Sequence, residues 1–183
     1  MSTHAGAAPQ VLRSFRMGHL FVFSLLVGFL AVSEWSLIPA QRHLDASAYT
    51  TLEQHMNTSL EYLTAGLMIT STVGAIGVLV LSVRARCDRR RIVLAWVALA
   101  CIVVMVISTL IINAPVNFAI DAWDPAAPPS NWMQLRQRWE IGHTLRTYVG
   151  LLGLAAAIAG TVAGAGAVTG AVPATTAPRR TQG

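Results

Sequence analysis

Several features of soluble enzymes are missing from this chain of 183 residues. Only 11% of the residues are charged, against about 25% in soluble domains, and 54% are hydrophobic. The sequence contains no P-loop, no G-x-G-x-x-G turn, no C-x-x-C pair and no G-x-S-x-G elbow. Its two cysteines, Cys87 and Cys101, have no metal-type spacing and predict neither a metal site nor a disulfide. This composition is typical of an integral membrane protein.

Lysine is also absent, so every basic side chain other than histidine is an arginine, and the formal net charge is +5. The arginines cluster at the ends of apolar runs, and one short loop contains five of them within residues 84–91. Arginine-rich loops of membrane proteins lie on the cytoplasmic side. We therefore assign the basic charge to membrane topology and expect no nucleic-acid partner.

Four apolar runs are long enough to cross a bilayer. They lie at about 17–39, 60–83, 91–113 and 131–172, the last with an amphipathic extension at its start. A helix needs roughly 20 residues to span the hydrocarbon core, and in lipid such runs must be helical because exposed backbone groups find no water. The first run is longer than the roughly 7–15 residues of a signal-peptide core, so we expect it to be retained.

The expected fold class is all-α, an integral membrane four-helix up-down bundle with both termini cytoplasmic. The arginines before the first run, in the central loop and in the tail fall on one side only if the chain crosses four times. The transmembrane domain is expected at 13–172, between disordered tails at 1–12 and 173–183. Abundant arginine and alanine without lysine are typical of GC-rich bacterial genomes, which would place the protein in the plasma membrane.

The fourth run is rich in glycine and alanine. Gly160 and Gly164 form a G-x-x-x-G pattern, as do Gly166 and Gly170. Small residues allow helix backbones to approach closely in lipid. The simplest interpretation is packing inside the bundle, and the alternative is a homo-oligomer formed through Gly160 and Gly164.

Polar and ionisable residues are unevenly distributed along the four runs. They lie near the ends that face away from the arginine-rich loop, and an up-down bundle would bring those ends together in one leaflet. Ionisable groups inside membrane spans indicate a functional site by default. A purely structural interpretation is that acidic and basic members pair with each other and lock the bundle. The set comprises Glu34, His55, Glu61, Asn113, Asn117, Arg138, Glu140, His143 and Arg146.

The fourth run carries the clearest polar stripe. Trp139, His143 and Arg146 follow one another at steps of four and three residues, which places them on one face of a helix. On the third run, two asparagines flank Pro115, which lacks an N–H and is expected to loosen or end that helix. We therefore expect a polar pocket in the outer leaflet, between these two helices.

These residues resemble the signature of the anthrone oxygenase-like family. The shared pattern is N-x-P-x-N, here at 113–117, followed by R-W-x-x-x-H-x-x-R, here at 138–146. The resemblance extends over the four-span body, about 16–172, with the motifs in its second half. The family comprises small four-helix membrane proteins, many of them known only as a domain of unknown function.

The resemblance implies a membrane-bound oxygenase that needs no cofactor and acts on an apolar phenolic, anthrone-type or quinol-like substrate. In that scheme His143 removes a proton as general base, Arg146 stabilises the resulting anion, and the anion reacts with dioxygen. Aromatic stacking on the substrate ring would come from Trp139. Together with the outer-end residues, the expected substrate contacts are Asn113, Asn117, Arg138, Trp139, Glu34, His55 and Glu61.

Two alternatives stay open. Glu140 and His143 have the E-x-x-H spacing of di-iron sites in helical bundles, although the chain has no second such motif. Alternatively, the protein is a non-catalytic membrane module that binds a lipid or quinone, or that accompanies a membrane complex. Both the enzyme and the module interpretation predict an apolar, lipid-like ligand that is reached from the membrane.

Overall fold

Helices make up nearly all of the described chain, which is residues 7–163 of a computed structural model. Two of the elements are short π-helical segments, in which each backbone hydrogen bond joins residues five positions apart instead of four. In chain order the elements are α1 Ala7–Val32, the first π segment Ser33–Leu37, α2 Ile38–Gln41, α3 Ala46–Arg84, α4 Arg89–Ser108, the second π segment Thr109–Asn113, α5 Ala114–Asp121 and α6 Trp132–Val162.

Four continuous helical stretches are long and apolar enough to span a membrane, which confirms the prediction of four spanning helices in an all-α chain. They are Gln10–Gln41, Ala46–Arg84, Arg89–Asp121 and Trp132–Val162. In the packed arrangement, α1 contacts α3 and α6, and α4 contacts the same two helices. The four spans therefore form a ring of neighbours around a shared interior.

Two helices begin earlier than their apolar runs predicted. The helix α3 begins at Ala46 instead of residue 60, because the Asp45 side chain accepts a hydrogen bond from the Ala48 N–H at 2.8 Å and no glycine or proline interrupts residues 46–59. The helix α1 begins at Ala7, so residues 7–12 of the predicted N-terminal tail are helical. Its Pro9 lies in the first turn, where a missing N–H costs nothing. The predicted C-terminal tail lies outside the described residues.

Each π segment ends two residues before a proline, at Pro39 and Pro115. The backbone N–H of Ile38 donates to the Ser33 carbonyl, and that of Ala114 donates to the Thr109 carbonyl. A proline ring inside a helix clashes with the carbonyl four residues earlier, and the wider π turn relieves such crowding. The helices therefore continue past both prolines. Pro115 was expected to end or to loosen its helix, and the structure shows that it does not end it.

The hydrophobic core occupies the middle of the ring. Large apolar side chains on the outer faces, among them Leu63, Ile69 and Leu152, stay exposed, as a lipid-facing surface requires. The core is formed by Phe23, Leu26, Val27, Leu30, Met68, Ala75, Ile102 and Met105.

Glycines of α6 allow that helix to pack closely inside the bundle. A Cβ atom on Gly153 would lie 2.8 Å from the Cys101 Cβ, and one on Gly160 would lie 3.4 Å from the Leu94 Cβ. Gly160 therefore faces α4, as the simpler interpretation of the glycine pattern expected. Gly164, its partner in the G-x-x-x-G pattern, lies outside the described residues.

Candidate active site

A cavity of about 160 Å³ lies among the four spans, at the level of the two π segments. A single water needs only ~10–15 Å³, so the space is large enough for an organic ligand. All four spans contribute to its walls, and α6 contributes Trp139, His143 and Arg146. The polar residues on the other walls are Ser33, Glu53, Asn57, Glu61, Thr64, Thr109, Asn113 and Asn117.

The two asparagines and the tryptophan of the sequence motifs do come together. The indole Nε1 of Trp139 donates to the Asn117 Oδ1 at 2.7 Å, and the Asn113 Nδ2 donates to the Trp139 carbonyl at 3.0 Å. The indole is stacked on the His143 ring, with the centroids 4.9 Å apart and the planes 18° from parallel. The asparagines therefore fix the position and tilt of the aromatic wall.

The hydrogen bonds of His143 identify its tautomer. Its ring is only 2% exposed, with Nε2 at 3.1 Å from the Leu30 carbonyl oxygen and Nδ1 at 3.3 Å from the Arg146 Nη2. A carbonyl oxygen only accepts and a guanidinium only donates. Nε2 must therefore carry the proton and donate it, while Nδ1 accepts from Arg146. The imidazole is neutral, and its one lone pair faces a cation.

The guanidinium of Arg146 is buried without an acidic partner. Its side chain is 6% exposed, and its Nη1 donates to the Thr109 Oγ1 at 3.1 Å. All eight acidic side chains of the chain lie within the described residues, and none is within 4 Å of this guanidinium. Buried charges are normally paired, so this wall of the cavity favours an anionic or oxyanionic ligand.

Two polar residues on α3, Glu53 and Asn57, were not predicted from the sequence to line the cavity. Glu53 is 1% exposed and accepts a hydrogen bond from the Gln41 amide, while the Asn57 Nδ2 donates to the Asp121 Oδ1 at 2.8 Å. The sequence did contain a signal for them, because Glu53 and Asn57 lie at helical spacing on the same buried face of α3 as Met68. The predicted second run began at residue 60, and this excluded both residues from the span.

Three predicted substrate contacts lie outside the cavity. Arg138 is exposed, and its Nη2 donates to the Ile111 carbonyl at 3.3 Å; one residue of helix turns it about 100° from the Trp139 face. His55 is exposed on α3, two residues beyond the inward-facing Glu53. Glu34 accepts a hydrogen bond from the Thr144 hydroxyl at 2.9 Å, on another side of α6. Of the acidic residues predicted to bind substrate, only Glu61 lines the cavity, at an exposed position.

The carboxylate of Glu140 is held in an ion pair. Its Oε2 accepts from the Arg42 Nη2 at 2.8 Å, and its Oε1 lies 3.5 Å from the Arg136 Nε. The hydrogen bond to Glu140 also raises the pKa of Arg42, so the pair stays ionised. Residues 7–163 contain no group of three or more histidine, cysteine or acidic side chains that could hold a metal ion. Glu140 thus fastens the segment after α2 to α6, and its carboxylate is already paired with two arginines.

The comparisons with known proteins agree with the sequence motifs. No curated protein and no solved structure matches the chain. A family model described as anthrone oxygenase matches residues 55–156, which is more than half of the chain and contains the N-x-P-x-N and R-W-x-x-x-H-x-x-R motifs. The chain therefore belongs to the anthrone oxygenase family.

Proposed function

We propose that this protein is a membrane-bound oxygenase that oxidises an apolar phenolic, anthrone-type or quinol-like substrate in the cavity between His143 and α3. The observation that supports this most directly is the buried guanidinium of Arg146, which has no aspartate or glutamate side chain within 4 Å and borders the cavity beside a neutral imidazole. An enolate or phenolate oxygen would supply the missing negative charge.

The chemistry follows from the acidity of such substrates. Anthrone has a methylene group whose proton, once removed, leaves an enolate that is delocalised over the rings. Arg146 stabilises the enolate oxygen, and the Trp139 and His143 rings offer an aromatic wall for the substrate. The electron-rich anion then reacts with dioxygen, which is the oxidant. Overall, CH₂ and O₂ become C=O and H₂O, so one oxygen atom enters the product and the other leaves as water.

In this scheme His143 positions Arg146. Its Nδ1 is the sole ring nitrogen able to accept a proton, and that atom already accepts a hydrogen bond from the guanidinium. The Nε2–H bond to the Leu30 carbonyl holds the ring in this orientation. This role replaces the general-base role that the motif suggested.

Purified protein in lipid nanodiscs should accelerate the oxidation of anthrone. The expected result is dioxygen uptake matched by anthraquinone absorbance, at a rate above that of empty nanodiscs, where anthrone oxidises without protein. Treatment with a chelator should leave this rate unchanged, because the proposed reaction requires only the substrate anion and dioxygen. Binding of anthrone or a quinone without any dioxygen uptake would favour the non-catalytic module.

We further propose an up-down topology in a bacterial plasma membrane, with both termini cytoplasmic. Contacts between opposite helix termini support it. The Arg16 Nη2 near the start of α1 donates to the Ser82 Oγ near the end of α3 at 2.9 Å, and the Arg91 Nη2 at the start of α4 donates to the Ala163 carbonyl after α6 at 2.8 Å. These contacts gather at the same end as the arginine-rich loop, which is expected on the cytoplasmic side.

Thiol labelling of spheroplasts checks this topology. In a Cys101→Ala background, an impermeant maleimide should modify Cys87, in the arginine-rich loop, only after the membrane is permeabilised. A cysteine introduced as Ala126→Cys, in the exposed loop before α6, should react with intact spheroplasts. The reverse pattern of labelling would invert the topology and place the cavity toward the cytoplasm.

A further inference from the structure

The buried carboxyl group of Glu53 has no counter-charge among the residues that the structure describes. The side chain is 1% exposed, and its hydrogen-bond partner among residues 10–163 is the buried amide of Gln41. No arginine or histidine of the same range lies within 4 Å of the carboxylate. A carboxyl group in such a place costs free energy unless something compensates it.

Glu140 shows how this fold treats a buried carboxylate that serves packing. It is 9% exposed, and two arginines, Arg42 and Arg136, hold it. Glu53 is buried more deeply, and none of the arginines and histidines that the structure describes lies within 4 Å of it. A bound ligand that donates an acidic hydrogen to Glu53 would supply this compensation.

An arginine and a carboxyl group therefore stand apart on the walls of one cavity. Arg146 lies on α6 and Glu53 on α3, both line the cavity, and their charged atoms are more than 4 Å apart. A ligand that presents an oxyanion to the guanidinium and an acidic hydrogen to the carboxylate would satisfy both groups. An enolisable ketone or a phenol has this pair of features.

We propose that the Glu53 carboxylate accepts the proton of the substrate, an inference that rests on the proposed oxygenase function. The candidates among the cavity-lining side chains are few, because the His143 Nδ1 is occupied by Arg146 and Glu61 is exposed. The substrate C–H or O–H bond breaks, its proton joins a Glu53 oxygen, and the electron pair stays on the substrate, whose oxygen faces Arg146. The proton returns when the second oxygen atom leaves as water, which regenerates the carboxylate.

Exchange of the methylene deuterium of labelled anthrone with solvent, measured without dioxygen, isolates this step. The wild-type protein should accelerate the exchange, and Glu53→Gln, which keeps the shape and the Gln41 contact, should lose roughly 100-fold or more of that rate. Quenching of tryptophan fluorescence by anthrone should show that the affinity for anthrone is little changed. The matched control is Asp124→Asn, in the exposed loop before α6, and it should exchange at the wild-type rate.

The outcomes separate this inference from the proposed function. Exchange by Glu53→Gln at the wild-type rate, or no exchange by the wild-type protein, would overturn the role of Glu53 even if aerobic oxidation proceeds. Exchange that depends on Glu53 without aerobic oxidation would overturn the oxygenase and leave the proton acceptor in place. Should Glu53→Gln not fold, Glu53→Asp decides, because a base withdrawn by one methylene must lose rate; an unchanged rate would contradict the proposal.

Discussion

Arg146→Gln is expected to lower the turnover of anthrone by roughly 100- to 1,000-fold, the usual loss when one stabilising group is removed from a developing oxyanion. Glutamine keeps a hydrogen-bond donor near Thr109 but removes the charge that the enolate requires. The measurement is kcat and KM from dioxygen uptake in nanodiscs. Arg13→Gln is the matched control, since Arg13 is exposed near the other end of α1, and its kinetics should stay unchanged.

Arg146→Gln should also unfold at an equal or higher temperature than the wild-type protein. A buried guanidinium without a carboxylate is a net cost to the folded state, and removing it relieves that cost. Lost activity with retained stability would separate a role in the chemistry from a role in folding. A rise in KM with kcat unchanged would show instead that Arg146 binds substrate and transition state equally, which contradicts selective stabilisation of the enolate.

Gly142→Ala is expected to destabilise the protein by about 1–3 kcal/mol, the usual cost of forcing an extra methyl group into a packed site. A Cβ atom at this position would lie 2.6 Å from the Asn113 Oδ1 and 2.7 Å from the Ile112 Cγ2. The helix α6 would have to move away from the second π segment. Thermal unfolding in detergent, followed by tryptophan fluorescence, should show the lower midpoint.

Gly66→Ala provides the control for this substitution. Nothing lies within 4 Å of a Cβ atom built on Gly66, which faces outward from α3. Its unfolding midpoint should equal or exceed that of the wild-type protein, because alanine favours the helix. Equal midpoints for both variants and the wild-type protein would show that α6 and the second π segment are less tightly packed than the geometry indicates. In Gly142→Ala the added methyl group should displace Asn113 and break its hydrogen bond to the Trp139 carbonyl. This variant should therefore also oxidise anthrone more slowly than the wild-type protein.

Residues on a single helix were the ones that sequence analysis placed correctly. Trp139, His143 and Arg146 share a face because helical geometry repeats every 3.6 residues, and periodicity needs no knowledge of the neighbouring helices. Asn113 and Asn117 were placed in the same cavity by their spacing around a proline. Arg138 was placed wrongly because it was grouped with Trp139 as its neighbour in the sequence motif. Neighbouring residues of a helix point in directions about 100° apart, so the two side chains do not face the same cavity.

Contacts between helices could not be predicted from the sequence in the same way. The pairing of Arg42 with Glu140 joins residues 98 positions apart, and nothing in either segment specifies the partner. The tautomer of His143 depends on a carbonyl of another span, and the π segments have no sequence signature beyond the prolines that follow them. Glu53 was missed because it lies outside the apolar run, although α3 carries it into the cavity.

The amino-acid sequence by itself determined that the chain is helical, that four helices can cross a bilayer, and which family it belongs to. Helicity and membrane spanning follow from local requirements, since every backbone polar group in lipid must be satisfied within its own segment. Family membership follows from the order and spacing of motif residues along the chain. Tertiary structure alone decided which charges are paired and which are left unpaired, and so which arginine and which glutamate face the cavity. That decision depends on the rotation of each helix against its neighbours, where about 100° separates a buried cavity-lining side chain from an exposed one.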